Sequence, residues 1–158
     1  MILGALLLPL AAQATDSTTD PAWPMLKMLV GGAWQGTVGK DTKVSFRFTL
    51  QENGKLLRAN GVIGVGSLHP LLAESSVGWD PEAKRLYYLD QHGFSTVYWG
   101  HVYKQGGETV WDFNALCGDK GHYRSHLIVT PKLYTSTMEE EQEGKWTDLG
   151  FHLRLTRK

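Results

Sequence analysis

This sequence is poor in the features that usually name a function. It holds one cysteine, Cys117, so no disulfide can close within the chain. Cys117 reads as a buried thiol, and it lies too far from the N-terminus to carry a lipid anchor. Sixteen basic and sixteen acidic residues cancel. Without a basic face, nucleic-acid recognition is not expected. The one run of like charge, Glu139-Glu140-Glu141, reads as an exposed strand end. No Gly-x-Ser-x-Gly frame surrounds Ser75-Ser76, and Gly64-Val65-Gly66 opens no helical pattern, so neither a nucleophile elbow nor a phosphate loop is present. Long apolar runs are missing as well. The stretch MILGALLLPLAAQA is too short for a bilayer, which needs about 20 apolar residues.

What that stretch does resemble is a secretory signal. It ends in Ala12-Gln13-Ala14, a small-x-small cleavage pattern, although no Lys or Arg precedes Lys27 to supply a positive n-region. A buried N-terminal apolar strand or helix is the alternative. On the signal reading residues 1–14 are removed, 15–22 form a flexible leader and 23–158 form one domain. A chain of this size can bury a real core without staples. The expected location is secreted or periplasmic.

Strands and turns dominate what remains. Asp20-Pro21-Ala22-Trp23 opens one short helix, with Asp20 as its cap and Pro21 in its first turn, and Gly31-Gly32 stops it near Met28 or Leu29. Val44, Phe46, Phe48 and Leu50 then alternate with Lys43, Ser45, Arg47 and Thr49, the period-two pattern of a half-buried strand. Asn53-Gly54 follows as a hairpin signal, because both residues tolerate positive φ. Gly61, Gly64 and Gly66 mark a bend or bulge. Turn signals recur at Asp80-Pro81, His92-Gly93, Gly106-Gly107, Gly118-Asp119-Lys120-Gly121, Thr130-Pro131 and Glu143-Gly144. Between them lie runs rich in Val, Tyr, Trp, Phe and Thr. The predicted fold class is all-β, a single antiparallel meander barrel of nine or ten strands with a short N-terminal helix. Closure follows from energetics, since an open meander would leave two unpaired edges. The last strand, with Leu149, Phe151, Leu153 and Leu155 on one face, closes against Ala33 to Val38.

The opening Gly32-Ala33-Trp34 at the start of the first strand, just after a short helix, resembles that of lipocalin-like (calycin) barrels. Gly78-Trp79-Asp80-Pro81, Tyr98-Trp99-Gly100 and the closing Leu153-x-Leu155-x-Arg157-Lys158 are closer to bacterial lipocalin-like domains of unknown function and to nitrobindin-like haem barrels. The resemblance implies that Trp34 plugs one end and that Arg154 or Arg157 covers it, a guanidinium stacked on an indole. It also brings haem into consideration as a cofactor.

Two groups of residues are candidates for a site. Trp111 and Phe113 on one strand, with Phe46 and Phe48 on another, suit an aromatic wall for a planar or lipidic molecule. Tyr87 near Trp79, across the Asp80-Pro81 hairpin, adds to the same interior. His122, Arg124 and His126 fall at period-two spacing on one strand. Facing inward, they would make a cationic floor for a carboxylate, phosphate or haem propionate, or supply an imidazole to haem iron; facing outward, they are the strand's wet side. His101, in step with Trp99 and Tyr103, is inward only if Trp99 is. Two histidines on one strand are a poor start for zinc, so no metal is assigned. The expectation is a binding module for a small hydrophobic or amphipathic partner. A haem barrel, an enzyme such as an isomerase or hydrolase, and a packed domain without a cavity are the alternatives.

Overall fold

Alternation of apolar and polar side chains builds a single sheet, and the sheet closes on itself. The computed structural model describes residues 19–39, 41–118 and 120–158, so the signal reading of residues 1–14 and the leader's residues 15–18 lie outside the described residues. Helix α1 (Trp23–Lys27) precedes ten strands: β1 (Trp34–Val38), β2 (Thr42–Gln51), β3 (Leu56–Ile63), β4 (Leu71–Asp80), β5 (Arg85–His92), β6 (Thr96–Gln105), β7 (Glu108–Cys117), β8 (His122–Val129), β9 (Leu133–Gln142) and β10 (Lys145–Arg157). Each strand pairs antiparallel with its neighbours in sequence, and β10 returns to β1 to complete a closed barrel. The closing register sets Trp34 opposite Arg157 and Val38 opposite Leu153. No strand edge is left unpaired in this arrangement.

The connections after β2, β4, β6 and β8 gather at one end of the barrel, and α1 packs there. Trp34 is fully buried at this end, and its indole N–H donates to the Leu29 carbonyl at 2.7 Å. Arg157 lies over the Trp34 ring at 4.7 Å and also donates to the Met28 carbonyl. Leu153, Leu155 and Arg157 share the inward face of β10, so parity chooses Arg157 as the cover. Arg154 has the opposite parity and is exposed. Gly36, beside Trp34, is required by close approach, because a Cβ there would sit 2.0 Å from the Arg154 carbonyl oxygen.

The sequence-predicted helix differs in detail. Its N-cap is Ala22, and Pro24 rather than Pro21 stands in its first turn. Asp20 instead accepts a hydrogen bond from the Ala22 amide at 2.8 Å and turns the chain just before the helix. Asn53 and Gly54 do adopt positive φ, within a short 3-10 turn that also includes Glu52. Cys117 is exposed, contrary to the buried-thiol expectation. It ends β7 at the mouth, beside a break in the β6–β7 register. Among the described residues, no helix is long and apolar enough to cross a membrane.

At the opposite end, with the connections after β1, β3, β5, β7 and β9, no helix caps the barrel among the described residues. Several large apolar side chains stand exposed there, among them Leu68, Leu72, Phe94 and Leu116.

Candidate functional site

Below that uncapped end the barrel encloses a cavity of about 410 Å³. This is within the size of small-molecule sites. Phe46, Phe48, Trp111 and Phe113 all line it. Phe46 enters because Gly61 sits opposite it on β3; a Cβ on Gly61 would lie 2.3 Å from the Phe46 ring. Tyr88 packs tilted against Trp111 at 4.4 Å between ring centroids and edge-on against Phe113 at 5.4 Å. Tyr98 and Tyr123 extend this aromatic wall toward the mouth.

A polar band crosses the interior at mid-depth. On β5 the inward face runs Leu86, Tyr88, Asp90, His92, from the capped end to the mouth. Asp90 is 4 % exposed. Ser75 Oγ donates to Asp90 Oδ1 at 2.6 Å, and His92 Nε2 meets Oδ2 at 2.8 Å. Burial opposes a charge on His92, but the hydrogen bond and charge of Asp90 outweigh it and raise the imidazole pKa. Burial first, and the Asp90 carboxylate second, push the Tyr88 hydroxyl well above its ordinary range. Across the barrel, Ser125 and Ser136 share a hydrogen bond at 2.6 Å. Burial likewise raises Tyr134, although a hydrogen bond with Ser136 works the other way. Trp111 Nε1 is buried without a partner among the described residues.

Asp90 stands between Ser75 and His92 and accepts from both. The Ser75 proton is therefore directed to a carboxylate and not to an imidazole, which is not the nucleophile–base contact of a hydrolytic triad. Asp90, His92, Ser75 and Tyr88 were missed by sequence reasoning. Their signal was a charged residue breaking the apolar face of a strand, Leu86-x-Tyr88-x-Asp90-x-His92.

His122, Arg124 and His126 do not line the cavity; their inward reading is corrected. Tyr123, Ser125 and Leu127 hold the inward face of β8, which puts the three cationic residues outside. There they meet carboxylates from both neighbouring strands. His122 bonds Asp112 at 2.6 Å and Glu141 at 2.7 Å; Arg124 bonds Asp112 at 3.0 Å. His126 lies between Glu108 at 3.1 Å and Glu139 at 3.3 Å. Arg124 also covers the Trp146 ring at 3.9 Å. Burial would raise Asp112, but the hydrogen bonds from His122 and Arg124 hold it below the ordinary carboxylate range. Glu139 and Glu141 of the Glu139-Glu140-Glu141 run thus partner His126 and His122.

Tyr87 is also outside, stacked on Trp99 at 5.6 Å, so it adds nothing to the interior wall. Trp99 and His101 share that outer face, which removes His101 as an interior candidate.

Haem does not fit this interior well. Among the described residues lining it, His92 is the one imidazole, and its Nε2 is engaged by Asp90. Among the described residues, no Lys or Arg lines the cavity to meet the propionates.

With this geometry in hand, comparison with known proteins adds no identity: no protein-family model matches the sequence, and no curated protein matches it. The closed ten-strand barrel is compatible with the lipocalin-like fold. The functional reading rests on the cavity.

Proposed function

We propose that this protein is an exported binding module that holds a small hydrophobic or amphipathic molecule inside its barrel. The observation that carries this reading is the cavity of about 410 Å³, walled by aromatic rings and crossed by one buried polar band. A few convergent polar groups in an apolar hollow are the usual make-up of a small-molecule site. A purely structural barrel would fill this space with side chains. Export is supported by the apolar N-terminal run ending in Ala12-Gln13-Ala14, with cleavage expected before Thr15.

Native mass spectrometry of the protein purified from a bacterial periplasm, with an absorbance spectrum of the same sample, tests both parts. The expected result is a chain beginning at Thr15 that carries a stoichiometric small-molecule adduct or takes up a neutral hydrophobic probe at one per chain. A bare mass that no such probe alters contradicts the binding reading. A Soret band would reinstate haem.

A further inference from the structure

The cavity holds its buried polar groups at mid-depth, below a mouth where His92 stands among apolar side chains, and this order has consequences for what it accepts. Along β5, His92 lies one step nearer the open end than Asp90 and Tyr88 one step deeper, Ser75 sits opposite Asp90, and across the barrel Ser125 sits opposite Met138. An amphiphile therefore brings its polar group to Asp90 only by entering head first. Its apolar body then occupies the aromatic mouth, where Leu149 is both part of the wall and 40 % exposed.

The hydrogen-bond inventory narrows the head. Asp90 accepts from Ser75, His92 and the Tyr88 hydroxyl, and of a carboxylate's roughly four lone-pair positions one is left to offer. Ser75 Oγ has spent its proton on Asp90 and can only accept. Among the described residues, Trp111 Nε1 is a buried donor of this region left without a partner, on a ring that packs against Tyr88. A carboxylate head would bring a second negative charge beside buried Asp90, with no Lys or Arg among the described lining residues to offset it. An ammonium would have to displace His92 from the carboxylate oxygen that it already engages. A hydroxyl carries no charge, donates to Asp90 and accepts a hydrogen bond at the same time.

Resting on the binding reading above, we propose that the natural ligand class is a neutral, hydroxyl-headed amphiphile, bound with its hydroxyl against Asp90 and its apolar tail at the mouth.

The test is displacement of the neutral fluorescent probe N-phenyl-1-naphthylamine from the mature protein by 1-octanol, octanoate and octylamine, three molecules with one tail length. We expect 1-octanol to bind at least about tenfold more tightly than either charged competitor, the scale of one hydrogen bond to a charged group. Octanoate or octylamine competing as well as 1-octanol overturns the hydroxyl assignment while leaving the binding reading intact. Failure of the probe itself to bind removes the binding reading on which the assignment rests. Asp90→Asn should narrow the preference for 1-octanol over octanoate, whereas Ser75→Ala, which frees an acceptor position on Asp90 and keeps its charge, should widen it. Ser75→Ala keeps the buried charge and its His92 partner, so it provides the test if Asp90→Asn does not fold. A preference unchanged in Ser75→Ala, with near-UV circular dichroism like that of the parent, counts against the proposed head position.

Discussion

Among the described residues, one cluster of histidine and carboxylate lies inside this barrel and a larger one lies on its outer face. Outside, His122 and Arg124 reach from β8 to Asp112 on β7 and, for His122, Glu141 on β9. Inside, His92 reaches along β5 to Asp90. The residue types are nearly the same, and the outer cluster is the larger. The difference lies in what surrounds them. The outer charges are part-exposed and mutually paired, so they consume one another's hydrogen bonds at the surface. Asp90 is buried beside a hollow, where unspent acceptor capacity is costly unless something fills it. Strand parity alone decides which cluster can meet a ligand.

The largest expected effect concerns the capped end that supports the interior. Trp34→Ala removes a fully buried indole along with its bond to Leu29 and the platform under Arg157. It should cost about 3–5 kcal/mol in urea denaturation; a loss below about 1 kcal/mol would show that the plug does not hold the barrel closed.

Next comes a direct contrast between the two carboxylates. Asp90→Ala leaves Ser75, His92 and Tyr88 without their acceptor in a buried site, a loss of about 1–3 kcal/mol. Asp112→Ala acts on a part-exposed network and should cost about 1 kcal/mol or less. Equal losses in the same denaturation series would erase the distinction between inside and outside.

The pH dependence sharpens the contrast further. His92 and His122 both have folded pKa values raised above the ordinary 6.5. A raised histidine contributes stability that is fully present below about pH 6.5 and is lost as pH rises through the folded value. The stability gap between the parent and His92→Gln should therefore shrink from pH 6 to pH 8, and likewise for His122→Gln. Only the first substitution should also alter ligand affinity over that range. A gap that widens with pH would reverse the sign assigned to these pairs.

Smallest of all should be Arg124→Ala. Its guanidinium bridges Asp112 and covers Trp146 on the outer face, so stability should fall by at most about 1 kcal/mol, and probe affinity should not change. Loss of probe binding would return Arg124 to the site.

The barrel itself was legible because period-two alternation in β2 and β10, and turn residues at hairpin spacing, act locally. The choice between Arg154 and Arg157 follows from parity once the inward face of β10 is known. The inward face of β8 was harder to read. His122, Arg124 and His126 compete there with Tyr123, Ser125 and Leu127, and the inward set carries a serine of its own, so neither face is plainly apolar. The Asp90 site was hidden for a related reason. A carboxylate on the apolar face of β5 makes sense only when Ser75, from the neighbouring strand, and His92 are seen to satisfy it. That satisfaction is a tertiary fact. Trp111, Phe113, Phe46 and Phe48 were readable as a wall, whereas the empty space between them is a property of closure and was not.

The tryptophans offer the most direct measurement, because they report on the two sides of the wall separately. Trp111 lines the cavity, whereas Trp99 and Trp146 lie on the outer face. In an NMR titration of the mature, indole-labelled protein with 1-octanol, the Trp111 indole resonance should shift saturably while those of Trp99 and Trp146 stay in place. Shifts confined to Trp99 or Trp146, with Trp111 unmoved, would contradict a ligand held inside the barrel.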